Sequence, residues 1–388
     1  MVLLSLFRYY GSRGIVLDRG YMQYLWDTSG NRYLDANTGH GVAFLGHSNP
    51  HIVEAVSKQF KLLASPGLSF RSRLEESVLE SLSRIRPGKL DSVLFLNTGA
   101  EAVEAALKLV WAYTGRKKIV AFRNSFHGRT LGALSVTWNP RYRKGFPVLS
   151  DVVFAPYNSD AETLGNYIDQ DTAAVIVEPV QGEGGVIPGS PRFLEEVSRL
   201  AGEAGALLIV DEIQSGFGRT GRTWSYTKSR AEPDIVLAGK SIGGGYPVSL
   251  VFTREDIASS LKGGRHGSTF AGNLPAMAAV EAAVTVFLEE DIPSKTMVAG
   301  WELIGQFRKR LRGNSAVRDI RGEGLMIGLE LRYRPEPVLK CLQEESRVLA
   351  LKAGATVVRF LPPYMITGGD IEQAASGVES CVSREYSR

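Results

Sequence analysis

Leu207-Leu208-Ile209-Val210-Asp211-Glu212-Ile213-Gln214, and downstream Ile235-Val236-Leu237-Ala238-Gly239-Lys240 leading into Gly243-Gly244-Gly245, decide how this chain is read. Each apolar run has the length and β-branched content of a strand buried on both faces in a parallel sheet. An acid closes the first run and a lysine closes the second. In open α/β sheets, ligands bind just beyond the carboxyl ends of such strands. The stretch therefore predicts an α/β fold with a binding crevice that Asp211 and Lys240 share.

Taken singly, neither residue carries much. Lys240 is one of 45 Lys and Arg residues, most of which are solvated surface charges, and an aspartate at a strand end is commonly a helix cap or a metal ligand. The pair is what suggests a ligand needing both groups. Pyridoxal phosphate (PLP) is such a ligand, because its aldehyde condenses with a lysine amine and its pyridinium nitrogen takes a carboxylate.

Working outward from this stretch, short apolar runs alternate with helix-period segments from about 90 to 255. Val93-Leu94-Phe95-Leu96 reads as a strand, and a helix follows over 101–114, with Val103, Leu107, Val110 and Trp111 on one face and Gly115 as its stop. Ile119-Val120-Ala121-Phe122, Val152-Val153-Phe154 and Ala174-Val175-Ile176-Val177 are further strands, and 193–204 is an amphipathic helix feeding the Leu207 run. This βα alternation predicts a mainly parallel sheet covered by helices on both faces. Upstream, Asn49 and Pro50 open a helix as cap and first residue, and 17–34 reads as strands joined by a turn. Past 286 the pattern becomes long helices with a strand pair over 324–331 and 356–360. The expected division is an N-terminal segment, 1–45, joining a small domain; a large cofactor-binding domain, 46–285; and a C-terminal small domain, 286–388.

Bulk properties exclude several classes. Charged residues are 22% and hydrophobic residues 44% of the 388, an ordinary soluble balance. No apolar stretch approaches the ~18 residues of a membrane span. The apolar start, Met1 to Phe7, lacks a preceding basic region and reads as a packing segment. Net charge is +4, with no dense basic block interleaved with aromatics, which argues against nucleic acid and leaves room for an acidic partner. Cys341 and Cys381 lie late and far apart, arguing against a disulfide framework and for a reducing cytoplasm.

Other motifs bear on chemistry. Asn97-Thr98-Gly99-Ala100-Glu101 joins a strand to a helix start, where backbone N–H groups and the helix dipole favour a phosphate, and Thr98 can add a hydroxyl. Taken by itself, the motif is read more readily as a routine βα turn with a capping threonine. Gly216-Phe217-Gly218-Arg219-Thr220-Gly221 matches a dinucleotide fingerprint, the basis of an alternative nicotinamide oxidoreductase. The next five residues, Arg222-Thr223-Trp224-Ser225-Tyr226, have no helical period, so the match is taken as accidental. His47 and His51 are separated by Pro50, favouring loop or capping roles over a metal site, and no metal is expected. Arg359, inside Val357-Val358-Arg359-Phe360-Leu361, needs a carboxylate partner, since an unpaired buried guanidinium is costly. With Arg129, also expected to be buried, it would suit a substrate with two carboxylates.

These segments together resemble the class III, ornithine-type aminotransferases over essentially the whole chain. The motifs are Asn97-Thr98-Gly99-Ala100-Glu101, Ser125-Phe126-His127-Gly128-Arg129-Thr130, Glu178-Pro179-Val180-Gln181-Gly182-Glu183-Gly184-Gly185, Asp211-Glu212-Ile213-Gln214, Ala238-Gly239-Lys240 and Gly267-Ser268-Thr269-Phe270-Ala271-Gly272-Asn273. Each is weak to moderate alone; their order and spacing make the combination specific. The resemblance implies the fold type I, aspartate-aminotransferase-like architecture of PLP-dependent transferases, with a large mostly parallel-sheet domain and a smaller α+β domain. It implies that Lys240 binds the PLP aldehyde and carries the substrate proton, that Asp211 pairs with the ring nitrogen, that Gln214 meets the ring hydroxyl, and that Phe126 stacks on the ring. Thr98, Gly99 and Ala100 would hold the phosphate with Thr269 of a second subunit, in an obligate two-fold dimer. Arg129 and Arg359, with Ser268 nearby, would bind substrate carboxylates, and Glu183 would cover Arg359 when glutamate is absent. His40 departs from the apolar or aromatic residue expected there. Within the family, 41–50 and 351–367 look most like enzymes acting on semialdehydes tethered to an acidic amino-group carrier protein, in lysine and arginine biosynthesis, with glutamate as donor. Acetylornithine aminotransferase, acting on free N-acetylated substrate, is the nearest alternative.

Overall fold

The apolar runs around 90–255 form strands that assemble into one sheet, in a computed structural model that describes residues 5–7 and 9–386. Its order is Ser92–Leu96, Ser249–Thr253, Ile235–Ala238, Leu207–Asp211, Thr172–Val177, Lys118–Phe122, Val152–Ala155. All neighbours pair in parallel except around Ser249–Thr253, which runs antiparallel to Ile235–Ala238 and Ser92–Leu96. The Leu207–Asp211 strand lies between Ile235–Ala238 and Thr172–Val177, and every residue of these three strands is buried. That burial explains their continuous apolar composition, since a half-exposed strand would alternate.

Helices cover both faces. Gly99–Thr114 turns Val103, Leu107 and Val110 into one core layer, which also holds Ile209, Ile235 and Leu237. Gly115, in the left-handed region, caps its end as the sequence suggests. Pro191–Glu203, capped by Ser190, and the nearly all-buried Leu274–Glu289 pack the opposite face around Val210, Val236 and Leu250.

The remaining strands form two smaller sheets. Leu17–Tyr21, Tyr24–Asp27 and Arg32–Asp35 form an antiparallel meander, extended by Val348–Leu349 in parallel with Arg32–Asp35. Val317–Glu323, Met326–Leu331, Val357–Phe360 and Leu351–Ala353 form the other. Leu34 and Ala36 share a core cluster with Phe307, Val338 and Phe360, so the N-terminal strands are tied to the C-terminal region.

Three expectations need correction. Cys341 and Cys381 form a disulfide, with Cα atoms 5.7 Å apart. Their separation in sequence misled: Glu336–Glu344 and Gly368–Tyr386 pack together, which brings the two positions within bridging distance. The bridge removes the cysteine-based argument for a reducing compartment. Leu6 and Phe7, expected to pack, are exposed, and Met1 to Leu4 of that segment lie outside the described residues. Arg129, expected to be buried, is exposed. It follows the buried His127 by two residues on a turn that leaves the sheet, so its long side chain reaches outward. Among the described residues no helix is long and apolar enough to cross a membrane.

Candidate active site

A cavity of about 250 Å³ opens at the carboxyl ends of the central strands. Its lining includes Lys240, Asp211, Gln214, Glu183, Phe126, Gly99 and Ala100. Seven of the sequence-predicted residues therefore meet in one space, although they come from five separate segments.

Two strand ends supply the opposed charges. Asp211 ends its strand and is buried; its Oδ1 accepts from the Ile213 amide at 3.0 Å, and its Oδ2 lies 2.7 Å from Nδ1 of His127. Burial works against protonation of His127, but Asp211 outweighs it and the imidazole pKa is raised. Lys240 begins a short 3-10 turn, Lys240–Gly243, with φ +47°. A non-glycine residue in that region costs on the order of 1–3 kcal/mol, a strain that clusters at functional sites. Burial pulls its amine down to about 8, so a substantial neutral fraction exists near physiological pH. A neutral amine is what condensation with a carbonyl requires.

His127 and Glu178 stand within two of the sequence motifs, yet no role attaches to them from the motifs alone. Glu178 Oε2 accepts from the Phe126 amide at 3.0 Å, and burial pushes its carboxyl up to about 7. Glu178 follows the end of Thr172–Val177, which neighbours the Leu207–Asp211 strand, and His127 lies past Lys118–Phe122, one strand further out. Polar residues just past central strand ends are the signal that could have found them.

The phosphate turn is more ordinary than expected. Thr98 is exposed, and its hydroxyl accepts from the Glu101 amide at 3.2 Å while the Glu101 carboxylate accepts back from the Thr98 amide, a capping box. Gly99 is required by packing, since a Cβ there would stand 2.9 Å from the Ile213 side chain. Gly99 and Ala100 still open a sixteen-residue helix toward the cavity, a favourable place for an anion.

Arg359 is fully buried on Val357–Phe360; its Nη2 donates to Glu183 Oε1 at 2.6 Å and its Nη1 to Gln214 Oε1 at 3.0 Å. Burial disfavours the Glu183 carboxylate, but the attraction of Arg359, then His40 and Lys240, outweighs it and holds the group well below the usual range. Gln214 is more committed than expected, its Nε2 donating to the His40 carbonyl at 3.2 Å. Arg129 lies over the rings of Tyr142, Tyr10 and Phe126 at 4.4, 5.6 and 5.8 Å, which orient an exposed guanidinium at the rim. Ser268 receives a 3.4 Å hydrogen bond from Asn97, and Thr269 is exposed; neither lines the cavity within one chain.

The dinucleotide-like glycines form a turn. Gly221 N donates to Gly218 O, and the next regular element is the 3-10 helix Ser225–Lys228, so no long helix points its amino end at a pyrophosphate. Arg219 within it is buried over Phe44 at 4.1 Å and donates to carbonyls of Leu325, Pro362 and Gly41, with burial lowering its pKa to about 9. It pins the turn to the small-sheet region. His47 bonds Asp35 at 2.6 Å, and among the described residues no cluster of three metal-type ligands occurs.

Residues 9–382 match the family model described as "Aminotransferase class-III". The LysW-aminoadipate semialdehyde/glutamate semialdehyde transaminase of Sulfurisphaera tokodaii is 51% identical over 368 residues, covering 95% of this chain and 94% of the relative. The acetylornithine aminotransferase of Bacillus cereus is 38% identical over 378 residues, covering 97% of each. Among solved structures, the ornithine aminotransferase of Toxoplasma gondii, with partial occupancy of PLP at its active site, matches with TM-score 0.92 at 32% identity, covering 98% of this chain and 93% of that one.

Proposed function

Since the chain belongs to the class-III aminotransferases, we propose that it moves an amino group between glutamate/2-oxoglutarate and the terminal semialdehyde of aminoadipate, and of glutamate, carried on a small acidic LysW-type protein, with PLP in the Lys240 cavity. The observation that carries the chemistry is the half-buried Lys240 sharing one cavity with the Asp211–His127 pair. The carrier reading rests on the greater identity to the LysW-linked relative, 51% against 38%, and on the +4 net charge that suits an acidic partner.

The residues present fit the cofactor. The cavity has a buried amine for an aldehyde, a carboxylate for a protonated ring nitrogen, the flank of Phe126 for a ring face, and a helix amino end for a phosphate. When bound, PLP supplies an aldehyde and an electron-withdrawing ring. Lys240 would hold that aldehyde, and its Nζ, as a free amine, would take the proton from the substrate carbon. His127 holds the Asp211 carboxylate in place through the 2.7 Å contact to Oδ2, where it would face a ring cation. Glu183 shields Arg359 from an amino substrate with no carboxylate at that end; glutamate would displace it and use Arg359 and Arg129 for its two carboxylates.

In this reading Thr269 and Ser268 act across a two-fold dimer. Phe60, Leu62, Phe70 and Phe270, exposed in the single chain, supply an apolar face of the kind such a dimer buries. The domains divide as 1–45 with 286–388, and 46–285. A cytoplasmic setting follows from the proposed substrates.

Recording the visible spectrum of the purified protein before and after glutamate tests the chemistry: a yellow band that bleaches on glutamate and returns with 2-oxoglutarate is expected. Turnover of carrier-linked and free N-acetylated substrates over a salt series tests the acceptor. Preference for the free compound, insensitive to salt, would remove the carrier.

A further inference from the structure

The four residues 38–41 run consecutively through the left-handed region, with φ of +49° at Thr38, +62° at Gly39, +60° at His40 and +98° at Gly41. For Thr and His this costs roughly 1–2 kcal/mol each, and such a turn persists only when its surroundings impose it. They do. Buried Asp35 accepts from the Asn37 and Thr38 amides at 2.9 Å each, and Thr38 Oγ1 donates to the Leu361 carbonyl at 2.6 Å. The His40 amide donates to Asn37 Oδ1 at 3.1 Å, and the His40 carbonyl accepts from Gln214.

The outcome is a circuit closed at all but one link. From the His40 carbonyl it runs through Gln214 to Arg359, from Arg359 to Glu183 Oε1 at 2.6 Å, and returns to His40 Nδ1, which stands 3.8 Å from the same Oε1. Three links are closed, and the last is just beyond hydrogen-bond length. The His40 side chain is 47% exposed, whereas that of Arg359 is buried, so His40 approaches Glu183 from its solvent side. The Tyr10 ring, 6.1 Å away by centroid, flanks the imidazole.

We infer that His40 is the specificity-determining residue that receives Glu183 when a dicarboxylate takes Arg359. This deepens the proposed amino transfer and rests on it. A carboxylate entering to pair with Arg359 repels Glu183, whose Oε1 then needs another donor. His40, with a proton on Nδ1, is already aimed at that oxygen, and the strained turn keeps it there. Amino substrates with no carboxylate at this end leave Glu183 on Arg359 and do not call on His40.

The test uses the holoenzyme and two variants that tolerate the left-handed backbone. His40→Gly removes the imidazole without backbone cost, and His40→Asn restores an amide donor close to the position of Nδ1. The expected result for His40→Gly is a KM for glutamate raised about tenfold, the effect of losing one hydrogen bond to a charged group. The calorimetric affinity for glutarate, an unreactive dicarboxylate, falls by a similar factor. The half-reaction with the amino form of the acceptor stays within about twofold, and His40→Asn recovers most of the glutarate affinity. Equal changes in both half-reactions, unchanged glutarate affinity, or an Asn variant no better than Gly would overturn the role of His40. A wild-type holoenzyme whose spectrum glutamate does not alter would instead sink the proposed function.

Discussion

The floor and the rim of this cavity are built by opposite means. At the floor, Asp211, His127, Glu178 and Lys240 lie at or past the ends of strands that are buried almost throughout, and their contacts are fixed by a sheet that cannot shift without opening the core. At the rim, Arg129 rests on aromatic faces, His40 sits on a strained turn, and Thr98 is exposed. Arg359 and Glu183 join the two zones, one partner fully buried and the other partly open. The difference suggests a division of labour: chemistry is assigned to the rigid part and substrate choice to the part that can rearrange.

Lys240→Ala strikes the floor and has the largest expected effect, a loss of turnover of at least about a thousandfold, because proton transfer and attachment both depend on its amine. The cofactor band should not bleach on glutamate at any enzyme concentration. Retained turnover would break the assignment of chemistry to the floor. Arg359→Ala strikes the junction. Glutamate kcat/KM should fall about a hundredfold, in the range for losing one partner of a buried charge pair, while the acceptor half-reaction falls much less. Comparable losses in both would show that the junction does not discriminate between substrates.

Glu178→Gln gives the smallest effect and reports on the floor as an electrostatic unit. Glu178 titrates at about 7 when folded against an ordinary 4.5, so the folded state binds more protons than the unfolded state between those values. Its stabilising contribution is complete below 4.5 and is lost as pH rises toward 7. In cofactor-free protein, denaturant titrations should show stability falling across this window by on the order of 2 kcal/mol less in the variant than in the wild type. Glu212, also raised by burial to about 7, keeps its own share of the slope. An unchanged pH profile would mean that Glu178 is solvated and that the floor is less closed than its geometry indicates.

Much of the floor was legible because strand ends are local features. An apolar run terminating in Asp211, and another in Lys240, announce themselves from composition, and parallel pairing brings both to the same edge. Glu178 follows the same rule on the neighbouring strand and His127 on the one beyond it, but each has an ordinary appearance in sequence until the strand order is known. The rim was harder. Arg129, paired in the sequence reading with Arg359 as a second buried arginine, is exposed in a bend seven residues past its strand. Gln214 lines the cavity, and its amide also bridges His40 and Arg359, which lie 174 and 145 positions away. The cysteine pair misled for a similar reason, since forty positions of chain say nothing about two helices that pack side by side.

From the sequence alone came the parallel α/β core, the acid and lysine at neighbouring strand ends, and the need of Arg359 for a carboxylate, because burial and periodicity act over a few residues and leave a mark in composition. The tertiary structure decided which partners meet: His127 with Asp211, Gln214 between His40 and Arg359, Cys341 with Cys381. Those pairings depend on the angles at which distant segments cross, and hydrogen bonds form or fail over tenths of an ångström that no local pattern encodes.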